Sequence, residues 1–142
     1  MERFKWIFKS KIMKIIQNKW INKFIPFPNF RAINLFGVLF VRGARPLTNV
    51  TLNHESIHSA QIAEVMIASV PFALLLWLFT NVWLGLLLVI ASYYLWYVIE
   101  WLVRLPFGNA YRNISFEKEA YANDRNMNYN KTRKLFSFLK YL

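Results

Sequence analysis

From Val65 to Val103 the chain is almost unbroken apolar sequence, and no lysine or arginine occurs between Pro46 and Val103. A run of that length is too long for one membrane span and too short for three. It divides at "TNVWLG", Thr80 to Gly85, where Thr, Asn and Gly supply turn chemistry. The 15 residues from Val65 to Phe79 make about 22 Å of helix, short for a hydrocarbon core of about 30 Å unless Ile57 to Glu64 extends them. The 20 residues from Leu84 to Val103 span unaided. The expected frame is therefore mainly α, an integral-membrane helical hairpin.

The charge distribution agrees with that frame. Of the 18 Lys and Arg, ten lie between Arg3 and Arg45 and eight between Arg104 and Lys140. Basic ends around an apolar middle predict two termini on the same, cytoplasmic side, drawn to anionic headgroups of the lipid bilayer. Nucleic acid is not expected as a partner, since it calls for cations interleaved with exposed aromatics on one folded face. With 142 residues there is room for one domain, and with no cysteine there is no disulfide, thiolate ligand or Cys nucleophile. Any metal must be held by histidine and carboxylate.

Outside the apolar run, Phe4, Ile7, Phe8, Ile12, Ile15, Ile16 and Trp20 recur at helical spacing against a lysine face. This predicts an amphipathic helix over 1–25, lying in the membrane interface or packed on the domain. Pro26 and Pro28 end it. Ala32 to Gly43 is β-branched and aromatic enough for a short strand. Thr48 or Asn49 offers a cap for one long helix over 50–79, and the second span covers 84–104. Glu100 stands four residues before Arg104, so the two can pair on one helix face. Ser115 opens a polar helix expected over 115–130, and the basic, aromatic tail "KTRKLFSFLKYL" reads as a second amphipathic surface anchor.

The chain's only histidines, His54 and His58, flank Glu55 in "HESIH". Residues four apart on a helix face the same way, so both imidazoles can grip one tetrahedral Zn²⁺. Glu55 lies about 100° round the helix from His54, close enough to act as general base on a water that the ion polarises. The bland alternative is that two histidines on one helix face bond only each other or water. A third ligand decides between these, and with no third histidine it must be a carboxylate. Glu2, Glu64, Glu100, Glu117, Glu119 and Asp124 are the acids outside the motif. A hairpin returns "FEKEAYAND" to the side where the motif lies.

His-Glu-x-x-His followed far downstream by Glu-x-x-Ala resembles the gluzincin metallopeptidases, particularly the integral-membrane group that includes the prenyl-protein (CAAX) protease and the heat-shock membrane protease. "HESIHSAQ" is also similar to the HExxHxxQ form of compact bacterial domains with Glu-x-Glu-Ala-Asp downstream. The resemblance covers about two helices. It implies a zincin-like active-site helix, a Zn²⁺ cofactor and hydrolysis of a peptide or membrane-protein substrate, with the site at the cytoplasmic side of a bacterial inner membrane. His54, His58 and Glu117 would be its ligands and Glu55 its base. Glu119 is the alternative third ligand, since acids two apart on a helix face different ways. Where the family has Asp after Ala to steady a ligand histidine, this chain has Tyr121, whose hydroxyl could take that role.

Several neighbours remain open. Tyr111, Arg112 and Tyr121 are candidate donors to an oxyanion. Asn53 and Gln61 either steady the ligands or form plain helix surface. Zincins lay an extended substrate along an edge strand beside the active-site helix, which gives the Ala32 to Gly43 strand a use. The competing reading of the whole chain is a small membrane adaptor or assembly protein in which the motif only ties helices together.

Overall fold

The computed structural model describes residues 13–17, 32–43, 47–106 and 108–142. They fall into two compact units, Met1–Ala60 with Ala122–Arg133, and Gln61–Tyr121 with Lys134–Leu142. One long helix, α1 (Asn49–Phe79), contributes its first part to one unit and the rest to the other.

The first unit is built on a three-stranded sheet in the order β1-β3-β2. Its strands are β1 (Lys14–Gln17), β2 (Ala32–Leu35) and β3 (Val38–Val41). β1 lies parallel to β3 with Lys14 opposite Val38, and β2 lies antiparallel with Leu35 opposite Val38. Leu39 and Val41 of the central strand are buried in alternation with half-buried Val38 and Phe40, and Ile57 and Ala60 of α1 are buried too. Two expectations are corrected here. The single strand over Ala32 to Gly43 is a hairpin, turned at Phe36 and Gly37, both with positive φ (53° and 78°). The helix over 1–25 is broken by β1 at Lys14–Gln17, where Ile15 and Ile16 are β-branched residues suited to a pleated ladder. Apart from Met13, the remainder of 1–25 lies outside the described residues.

Helix α1 begins as expected: the Thr48 hydroxyl accepts the Thr51 N–H at 3.1 Å. The second unit pairs its C-terminal part with α2 (Val82–Arg104). The turn between them is tighter than the expected Thr80 to Gly85, because the Asn81 side chain caps α2 by accepting the Leu84 N–H at 3.0 Å. Gly85 thus sits inside α2, where a Cβ would come within 2.8 Å of the Ala73 carbonyl oxygen. Both helices are long and apolar enough to cross a membrane, and only 22% and 11% of their most apolar windows are buried. A core helix of a water-soluble fold buries most of its apolar surface, whereas here Leu78, Phe79 and Trp83 are all at least 75% exposed.

Three short helices follow, α3 (Ala110–Asn113), α4 (Ser115–Asn123) and α5 (Tyr129–Thr132), then a 3₁₀ turn at Ser137–Tyr141. The expected 115–130 helix therefore stops at Asn123. Glu100 does not pair with Arg104. Its carboxylate accepts the Ser115 N–H at 2.6 Å, the Ser115 hydroxyl at 2.8 Å and the Trp96 indole N–H at 3.0 Å. Nor is the tail a surface anchor along its length. Phe138 is 1% exposed and its ring meets that of Phe116 at 4.5 Å between centroids, tilted by 54°, in a cluster with Ile62, Val65, Tyr93 and Ile114.

Replacing Gly85 with valine should force α1 and α2 apart, because the obstructing atom is backbone and cannot rotate away. Overpacking of this kind costs roughly 1–3 kcal/mol. A thermal melt in detergent should show a lower midpoint for Gly85→Val, and an unchanged one would mean that the helices do not approach closely there.

Candidate metal centre

Polar residues are buried along the motif stretch of α1. His54 and His58 are 8% and 6% exposed, and their Nε2 atoms stand 3.1 Å apart. Two ligands of one tetrahedral Zn²⁺, each about 2.05 Å from it, are separated by about 3.3 Å, so the pair needs almost no movement to share an ion. The rings meet edge to face at 4.8 Å between centroids. Behind them, Nδ1 of His54 lies 3.6 Å from Oδ2 of Asp124. A carboxylate on the far nitrogen fixes which nitrogen is left for a metal.

Asp124 is itself positioned by Asn53. The Asn53 amide donates to the carbonyls of Asp124 (2.8 Å), Asn126 (3.1 Å) and Asn123 (3.3 Å), clamping the turn that ends α4. On the other flank, the Asn34 amide of β2 donates to the Glu55 carbonyl at 2.7 Å and to the Ser59 hydroxyl at 2.8 Å. This ties an edge strand to the motif, and leaves the Glu55 side chain half-buried beside the histidines. Asn130 of α5 adds a bond to the Ser56 hydroxyl at 2.7 Å.

The acidic contribution comes from α4. Glu117 is 2% exposed, and its Oε1 accepts the Tyr97 hydroxyl at 2.9 Å. Tyr111 faces the same carboxylate. Burial first, and then the Glu117 charge, push its hydroxyl well above the usual phenol range, so it keeps its proton and remains a donor. Glu119, the alternative third ligand, is fully buried as well. Its Oε2 accepts the Gln61 amide at 2.9 Å, and the same amide reaches the Phe116 carbonyl at 3.1 Å. Gln61 and Asn53 are thus buried structural donors, not helix surface.

His54, His58 and Glu117 each offer a ligand atom within 4.8 Å of the others, and all three are buried, so the group could hold a metal ion. Two imidazole nitrogens and a carboxylate oxygen suit Zn²⁺ among several divalent metals. Of the candidate oxyanion donors, Tyr111 stands by Glu117, while Arg112 lies over the Tyr121 ring at 4.7 Å, on the wall of a separate cavity. Asp124 was missed in sequence because the resemblance sets the steadying acid directly after Ala120. Its only signal was being the one acid left in "FEKEAYAND" once Glu117 and Glu119 were considered.

Set beside known protein families, curated proteins and solved structures, the chain matches none of them.

Zn²⁺ or Co²⁺ titrated into purified protein should bind one equivalent in wild type and none in His58→Ala. Asp124→Asn should weaken that binding about 10- to 100-fold while leaving its stoichiometry intact. Affinity unchanged in Asp124→Asn, followed by competition with a chromogenic chelator, would remove Asp124 from the support of His54.

Proposed function

We propose that this chain is a membrane-embedded, zinc-dependent peptidase of the gluzincin type. The observation that carries the reading is the buried His54, His58 and Glu117 group, formed from the motif helix and the downstream Glu-x-x-Ala helix. Zinc bound there would polarise a scissile carbonyl and acidify a water molecule. His54, His58 and Glu117 would hold the ion.

Glu55 is the general base. Its place one residue after His54 borders the ligands without joining them, and its half-buried setting admits a water molecule. It takes the proton of the attacking water and hands it to the leaving amine nitrogen. Asp124 steadies the imidazole of His54, and Tyr97 steadies the carboxylate of Glu117. Tyr111, held protonated, is the donor best kept for a developing oxyanion. Among the described residues β2 pairs only with β3, and its Asn34 is bonded to the motif helix. Its outer edge suits an extended peptide, bound by main-chain pairing with little side-chain preference. In this reading the chemistry works at a lipid bilayer, with the basic ends at the cytoplasmic face of a bacterial inner membrane; two helices long and apolar enough to cross a membrane support it.

Glu55→Gln separates chemistry from binding. The variant should hold one equivalent of zinc, as wild type does, and cleave casein or a membrane-protein peptide at least about 10²-fold more slowly. Equal cleavage by the two proteins would exclude Glu55 as the base.

A further inference from the structure

A second cavity, of about 530 Å³, is walled by Arg112, Lys118, Tyr121 and Tyr141 and has no part in the chemistry above. Its two cations are held in place without being neutralised. The Arg112 guanidinium lies over the Tyr121 ring, its carbon 4.7 Å from the ring centroid. The Lys118 ammonium donates to the Tyr141 carbonyl at 3.3 Å. Among the described residues neither makes an ion pair with a carboxylate. The acids that flank Lys118 in sequence, Glu117 and Glu119, are buried and bonded to Tyr97 and Gln61. No acidic side chain lines the cavity.

A cavity lined by two uncompensated cations selects an anion. Arg112 has a planar fork of N–H donors and Lys118 has ammonium hydrogens beyond the one given to Tyr141, a combination that fits the several oxygens of a phosphate group. The position of the cavity in the fold narrows the source. Glu100, on the last turns of α2, is bonded to Ser115, so the start of α4 is fixed at the end of the apolar helix. Arg112 and Lys118 lie three residues either side of Ser115. Trp101, 38% exposed, marks the same end of α2 with an aromatic side chain that favours the headgroup layer. We propose that Arg112 and Lys118 form a phosphate-binding site, filled by the phosphodiester of an anionic lipid headgroup. Tyr121 holds the guanidinium plane and Tyr141 anchors the lysine.

The test uses the full chain in uncharged detergent, titrated separately with short-chain phosphatidylglycerol, short-chain phosphatidylcholine and inorganic phosphate, with thermal unfolding and intrinsic fluorescence as readouts. Wild type should bind phosphatidylglycerol about tenfold or more tightly than phosphatidylcholine, given two cations at the headgroup. Arg112→Gln with Lys118→Gln should abolish the preference, while the charge-matched pair Lys131→Gln with Lys134→Gln should keep it. Saturable inorganic phosphate binding that the first pair abolishes, without a preference for phosphatidylglycerol, would keep the phosphate site and overturn its lipid source. Equal binding of the two lipids with no phosphate binding, or an unchanged preference in the first pair, overturns the proposal. Wild-type selectivity and the single variant Lys118→Gln decide the matter if the double variant does not fold.

Discussion

The carboxylate of Glu100 has to be buried at the end of an apolar helix, and it stays there by seizing the beginning of another. A carboxylate removed from water costs several kcal/mol unless donors surround it. Ser115 supplies two, its N–H at 2.6 Å and its hydroxyl at 2.8 Å, and Trp96 a third. The same bonds satisfy an orphan N–H in the first turn of α4 and set a negative charge at its positive end. They also fix how α4 is rotated. Phe116 then enters the aromatic core, and Glu117 and Glu119 turn inward with it. Together with the Gln61 and Tyr97 bonds to α4, Glu100 sets which face of that helix carries its acids into the interior.

The same constraint recurs at each buried acid of the second unit, and it is met the same way. No lysine or arginine occurs between Pro46 and Val103, and the hydrogen bonds described here come from neutral donors. Glu117 receives the Tyr97 hydroxyl, Glu119 the Gln61 amide, and Glu64 the Phe136 N–H at 3.1 Å. Neutral donors stabilise a carboxylate without cancelling its charge. The Glu64 bond also holds the tail in place for Phe138 to fill the core, so a segment rich in basic residues becomes part of the packing.

The parts of this fold that were legible in the sequence are those set by composition and local spacing. The apolar run and its interruption at Asn81 are properties of neighbouring residues, as are the Thr48 cap and the i, i+4 geometry of His54 and His58. The parts that were not legible depend on partners far along the chain. Glu100 has Arg104 one turn away, and nothing local says that Ser115 will compete for it successfully. Glu119 resembles a surface acid until Gln61, 58 residues earlier, is brought to it. Asn53 looks like helix surface until the turn at Asp124 arrives beneath it. The Phe36-Gly37 turn lacks the Asn-Gly or Asp-Gly signature of a tight hairpin and puts a bulky residue at positive φ, so Ala32 to Gly43 read as one strand. In "KIIQ" the lysine and isoleucine spacing satisfied a helical period, while the ladder to β3, which decides the matter, is a nonlocal pairing.

The account rests on one ion being shared by two imidazoles and the carboxylate of Glu117. X-ray absorption at the zinc edge, on detergent-purified protein loaded with one equivalent of Zn²⁺, reads that shell directly. The account predicts two imidazole nitrogens and oxygen ligands at about 2.0–2.2 Å in a four-coordinate site, with the shell altered in Glu117→Gln. A six-coordinate, all-oxygen shell without imidazole scattering, or a spectrum indifferent to Glu117→Gln, would contradict it.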